Sequence, residues 1–121
     1  MAETYKKLAQ GQLPSSTGTL YTVPSSTSTL VGHIRLVNNT GSNRTVKLYH
    51  DGTADAQAIL PTMTIEAGGW AEFSGGIVME ASDTMSGVSD AATAITYTIY
   101  GMDITYCLGL YITLMENYYR V

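Results

Sequence analysis

Charge is scarce in this chain. Lys, Arg, Asp and Glu make up 13% of its 121 residues, against roughly 25% in ordinary globular proteins. The six Lys and Arg are scattered and the net charge is −4. The concentrated basic footprint of a nucleic-acid binder is therefore missing, and no nucleic-acid partner is expected. Cysteine is scarcer still. A lone Cys107 excludes an intramolecular disulfide, and no Cys/His set has zinc-ligand spacing. Embedded among apolar residues, Cys107 reads as a small buried hydrophobe.

Long apolar runs are also missing. The most apolar stretch, Ile104 to Met115, spans 12 residues, whereas a transmembrane helix needs about 20. No membrane partner is expected. The opening "MAETYKKLAQGQLP" has two lysines and no apolar run behind them, so no secretory signal peptide is expected and synthesis in a reducing cytoplasm is. Two N-x-T sequons, Asn38-Asn39-Thr40 and Asn43-Arg44-Thr45, then read as turn residues rather than glycosylation sites.

Catalytic and metal-binding patterns are thin as well. His33 lies mid-strand with nothing near it in sequence to orient it as a general base, so it reads as a sheet-surface or interface histidine. His50-Asp51 opens a loop, but neighbours in sequence rarely point at each other. Asp51-Gly52-Thr53-Ala54-Asp55 has a faint calcium-loop pattern without the closing bidentate Glu, and reads as a plain turn. Gly68-Gly69 sits between strands and opens no helix, so it is no phosphate cradle. The expectation is no catalytic residue, no cofactor and no metal.

What the chain has in quantity is Thr, Ser, Gly and Tyr. Thr and Tyr fit pleated, half-buried surfaces, and Gly and Ser serve turns. Alternating segments follow one another: 18–24, 29–38, 44–50, 59–67, 70–75, two short pieces within 76–90, and 94–104. In 29–38, alternation puts Leu30, Ile34 and Leu36 on one face and Val31, His33, Arg35 and Val37 on the other. With the turn cluster "NTGSN", residues 29–50 predict a β-hairpin, and 59–75 a second one turning at Gly68-Gly69. The expected fold is a single all-β domain, an antiparallel β-sandwich or jelly-roll over residues 1–104, with an N-terminal arm and a C-terminal extension over 105–121.

That extension, "TYCLGLYITLMENYYRV", carries the candidate contact residues. If extended, Tyr106, Leu108, Leu110, Ile112 and Leu114 share one face, and Cys107, Gly109, Tyr111, Thr113 and Met115 the other. Tyrosine buries a large area while keeping a polar tip, which suits protein interfaces. Tyr106, Leu108, Leu110, Tyr111, Ile112, Leu114, Tyr118 and Tyr119 are the expected interface with another subunit or another protein. An ordinary final strand of the chain's own sheet is the competing reading.

The segments "LAQGQLP" (8–14), "TLYTVP" (19–24), "LYHDG" (48–52) and "AGGWAEF" (67–73), with the turn Ser82-Asp83-Thr84-Met85, resemble small virion structural proteins of tailed bacteriophages and prophages. The resemblance covers roughly residues 8–103. It implies a β-sandwich attached to a capsid or tail, without enzymatic activity. Most members stop near the position of Gly101, whereas this chain continues for about 20 residues. The resemblance favours a head decoration protein, forming a homotrimer on the major capsid protein or another virion protein. A tail, collar or fibre-attachment component is the alternative, followed by a host-surface carbohydrate binder built around Trp70.

Overall fold

The computed structural model describes residues 4–105. Eight strands form: β1 (Lys6–Gln12), β2 (Gly18–Thr22), β3 (Thr27–Asn38), β4 (Arg44–His50), β5 (Ala58–Ile65), β6 (Trp70–Met79), β7 (Thr84–Ser89) and β8 (Ile95–Thr105). A single 3₁₀ turn, Asp55–Gln57, interrupts the β4–β5 connection. The strands make two four-stranded sheets, a front sheet ordered β1-β8-β3-β6 and a back sheet ordered β2-β7-β4-β5. All pairings are antiparallel. The all-β sandwich expected from alternation is the fold observed. Its strand order is that of an eight-stranded jelly roll, two Greek keys folded face to face.

The order also corrects the expected local pairings. Residues 29–50 do not form a hairpin, because β3 lies in the front sheet and β4 in the back sheet. Likewise β5 and β6, on either side of Gly68-Gly69, belong to different sheets. Among the described strands, β4 and β5 are the only consecutive pair that share a sheet as neighbours, across the loop 51–57. Every other connection arches from one sheet to the other. Alternation and turn residues specify where strands lie. They do not distinguish a turn that folds a strand onto its neighbour from one that carries it across the core.

Asn38 shows how such an arch is built. It is 1% exposed, and its Nδ2 donates to the carbonyls of Ser42, Ile65 and Glu66 at 2.8, 3.0 and 3.1 Å. Its Oδ1 accepts from the backbone N–H and the hydroxyl of Thr40 at 2.9 and 2.7 Å. One satisfied amide thus ties the end of β3 to the β3–β4 loop and to the end of β5. A buried polar group is tolerated on those terms. The arch 66–69 closes with a Gly69 N–H to Glu66 carbonyl bond of 2.8 Å. Gly68 takes φ 68° there, as the third residue of a type II turn requires.

A line of register shifts crosses the front sheet. Shifts fall between Lys7 and Ala9 in β1 and between Val31 and His33 in β3, the latter against both β8 and β6. The extra residue at Gly32 reverses the alternation of β3. Val31, Ile34 and Leu36 are therefore the buried apolar residues of β3, at 1%, 2% and 0% exposure, and Leu30 is displaced from the inward set that strict alternation gave it. A bulge adds one residue and so flips one half of a strand relative to the other. The core between the sheets comprises Leu13, Val23, Val46, Leu48, Ile65, Met79, Met85, Ile95 and Ile99 with these three. Tyr97 packs against it from β8.

Candidate functional site

The outer face of the front sheet gathers the side chains that could contact another molecule. On β3 and β6, Arg35 pairs with Glu72 in register, and its guanidinium reaches the Glu72 carboxylate at 2.6 Å. The same guanidinium lies over the Trp70 ring, 4.6 Å from its centroid. His33 approaches the other Glu72 oxygen at 3.5 Å, with its ring 5.9 Å from that of Tyr100 on β8. Glu72 thus organises a short row across three strands. His33 has the orienting carboxylate that its sequence neighbourhood did not reveal, because register alone brings β6 alongside. The Arg35–Glu72 pair is partly exposed, so its stability contribution is about 1 kcal/mol or less. Trp70 remains 58% exposed with Arg35 covering one of its faces.

A second polar cluster lies where β8 reaches the end of the sandwich. Asp103 accepts from the Thr29 hydroxyl at 2.6 Å and from the Tyr21 hydroxyl at 2.8 Å. Lys6 stands 3.7 Å away. At the same end, Asp83 accepts from the Glu80 N–H at 3.0 Å and meets His50 Nε2 at 3.1 Å. The Glu80 amide holds the Asp83 carboxyl below the usual range; burial opposes it, and His50 adds further lowering. His50 therefore works with Asp83 across the β6–β7 turn and not with its neighbour Asp51. Asp55, in the segment with the calcium-loop pattern, is engaged by Lys47 at 2.7 Å. Among the described residues no group of three or more His, Cys, Asp or Glu could hold a metal ion. Nor is any helix among them long and apolar enough to cross a membrane.

The four sheet edges differ in how they are protected. β1 begins with Lys6 and Lys7, and β2 is five residues long, bracketed by Pro14 and Pro24. β5 carries Pro61 and pairs with β4 through two register shifts. All of these discourage further strand pairing. β6 is 10 residues long, without lysine or proline, and its one charge, Glu72, is held by Arg35. Its guard is one register shift against β3, where Gly75 and Gly76 stand opposite Gly32 and Gly76 takes φ 73°. Beside β6 a slot of about 320 Å³ opens, lined by the apolar Val31, Ile34, Ile59, Phe73 and Ile77 together with Gly32, His33 and Ser74. Val78 stands next to it, 65% exposed. The expected interface residues Tyr106, Leu108, Leu110, Tyr111, Ile112, Leu114, Tyr118 and Tyr119 lie outside the described residues. Composition pointed to the tail. The edge of β6 became visible only once the strand order was known.

These features define an eight-stranded jelly roll with one open edge and a polar, aromatic outer face. No protein-family model matches the chain, and no curated protein matches it in sequence. Among solved structures the chain is similar to a Bacillus endospore appendage protein, from a family of disulfide-linked pili. The TM-score is 0.56 at 16% identity over 87% of this chain and 89% of that one. It is similar to a protein of the capsid of Helicobacter pylori bacteriophage KHP30, with TM-score 0.50 at 12% identity over 88% and 95%. It is also similar to a protein of the infectious bursal disease virus particle, with TM-score 0.52 at 9% identity. That match covers 84% of this chain and 30% of the viral one. At these identities the likeness establishes a shared fold.

Proposed function

We propose that this chain is a non-enzymatic structural protein of a bacteriophage virion, a head decoration protein that assembles as a homotrimer on the major capsid protein. The observation that carries this reading is the jelly roll with one long edge strand, β6, that has neither lysine nor proline. A module with few charges, small apolar openings and a free edge is suited to contact with other proteins. The phage-like segments of residues 8–103 support a virion, and the likeness to a phage capsid protein supports the same class of assembly. Decoration is favoured over a tail position because the unit is small, unrepeated and built from one sandwich.

A second reading, a subunit of a tail, collar or fibre attachment, is favoured by the likeness to the Bacillus appendage protein, described as forming pili. Counting copies in purified virions separates the two. Quantitative mass spectrometry giving hundreds of copies supports decoration, whereas about a dozen or fewer indicates a tail or vertex component. Absence of the protein from purified particles overturns both readings.

A further inference from the structure

We propose that the free edge of β6 and the slot beside it accept residues 106–115 of a second copy, which add a fifth strand to the front sheet. The proposal rests on the reading of the chain as a self-assembling protein. The acceptor is specific. β6 offers a row of backbone groups with no partner among the described residues, and it lacks the lysines, prolines or brevity that guard the other three edges. Added strands supply main-chain hydrogen bonds for affinity and alternate side chains for specificity. The slot calls for such a set of inward apolar side chains, next to Phe73 and Ile77.

The donor matches in length and pattern. β6 has 10 residues, and 106–115 is a run of equal length in which Tyr106, Leu108, Leu110, Ile112 and Leu114 would share one face if extended. That face would enter beside Phe73 and Ile77. The opposite one would stand with Ser74 and Val78 on the outer surface, because directly opposed residues of paired strands point the same way.

The donor is a second copy because of how the chain leaves β8. Thr105 pairs with Thr27 at the end of the sandwich, and β8 lies between β1 and β3, two strands away from β6. A return to its own β6 needs a reversal within the first few residues. The stretch 104–108, Ile-Thr-Tyr-Cys-Leu, contains no Gly, Pro, Asn, Asp or Ser to make one. A strand given by each copy to the next is a head-to-tail contact, which closes into a ring when the rotation allows. A homotrimer is one such ring.

Thiol cross-linking of the full chain tests this without any particle, so its outcome is independent of whether the protein belongs to a virion. In a Ser74→Cys variant, and separately in Val78→Cys, a short thiol-specific bifunctional reagent should join the introduced thiol to Cys107 of another copy. The expected result is a ladder at about two and three chain masses, abolished by Cys107→Ser. Deleting 106–121 should leave a monomer with an unchanged β-type circular dichroism spectrum. Val78→Lys, which sets a charge on an exposed position of the edge, should weaken self-association about tenfold or more. If the deletion variant does not fold, the cross-linking pattern still decides. Absence of the ladder, a link within one chain, or a ladder that persists in Cys107→Ser would each overturn the proposal.

Discussion

Tyr21 on the back sheet donates its hydroxyl to Asp103 on the front sheet, at 2.8 Å. The bond ties β2 to β8 across one end of the sandwich, where Thr29 supplies a second donor to the same carboxylate. Burial, and then the bond to Asp103, push the Tyr21 hydroxyl up to about 12. A tyrosine raised in this way stabilises the fold fully below its unfolded value, near 10. That contribution is lost as pH rises from there through the folded value. The expected result is a loss of stability between about pH 10 and 12 that Tyr21→Phe removes. Denaturant melts across that range check it, together with disappearance of the latest step in the ultraviolet tyrosinate titration. At neutral pH, Tyr21→Phe should cost about 1.5–3 kcal/mol, the value of a hydrogen bond to a charged group.

The Asn38 amide makes a stronger prediction. Asn38→Ala removes a donor to three carbonyls and an acceptor for two Thr40 donors at a site that water does not reach. Leaving buried polar groups without partners costs about 1–3 kcal/mol each where they cannot relax. Partial relaxation of the loop 39–43 brings the expected total to about 3 kcal/mol. Thr40→Val, which removes one hydroxyl and keeps the amide, should cost about 1 kcal/mol. Urea midpoints of the two variants settle the order, and equal losses would show that the amide does not tie the arch.

Acid stability should depend on the β6–β7 turn. Asp83 is held below the usual carboxyl range by the Glu80 amide first and by His50 after it. A lowered folded value contributes stability that is present above the unfolded value, near pH 3.9. The contribution disappears as pH falls through the folded value. Asp83→Asn should therefore flatten the part of the stability profile below about pH 4 and lower the plateau above it. Ser82 in the same turn sits at φ 70°, a conformation costly for residues with a Cβ. Ser82→Gly should raise stability by about 0.5–1 kcal/mol without changing the acid profile.

Much of the fold was legible in the sequence, and the pairing was not. The strands around Val46, Leu48, Ile95 and Ile99 follow from period-two alternation, because one buried face leaves that pattern on any sheet. The partner of each strand depends on residues far away in the chain. β3 lies between β8 and β6, more than thirty positions downstream, and nothing within 29–50 records that. The bulge at Gly32 was equally invisible, since a glycine in a strand marks a possible kink but not its direction. The Glu72–His33–Tyr100 row and the His50–Asp83 pair were missed for the same reason: their members meet only through register. The expectation for the apolar tail falls outside the described residues, and its proposed acceptor required the strand order.

The bulge line leads to the last prediction. Gly101 on β8 pairs with Val31 beside the register shift, and a Cβ added there would overlap the carbonyl oxygen of Leu30 and stand 3.0 Å from Leu8 Cδ1. A carbonyl in the middle of a ladder cannot withdraw without breaking strand pairing on both sides. Gly101→Ala should therefore destabilise by about 3 kcal/mol, the upper part of the range for overpacking. The register shift beside Val31 would be lost or moved, and Leu30 with it. Gly41 provides the control, because a Cβ there meets nothing within 4 Å. Gly41→Ala should change stability by no more than about 0.5 kcal/mol. Thermal melts of the pair, with amide exchange in β3 and β8 as the local readout, distinguish close approach of the backbone from a general intolerance of glycine replacement. Similar behaviour of the two variants would mean that the sheet accommodates a side chain at Gly101 by moving as a whole.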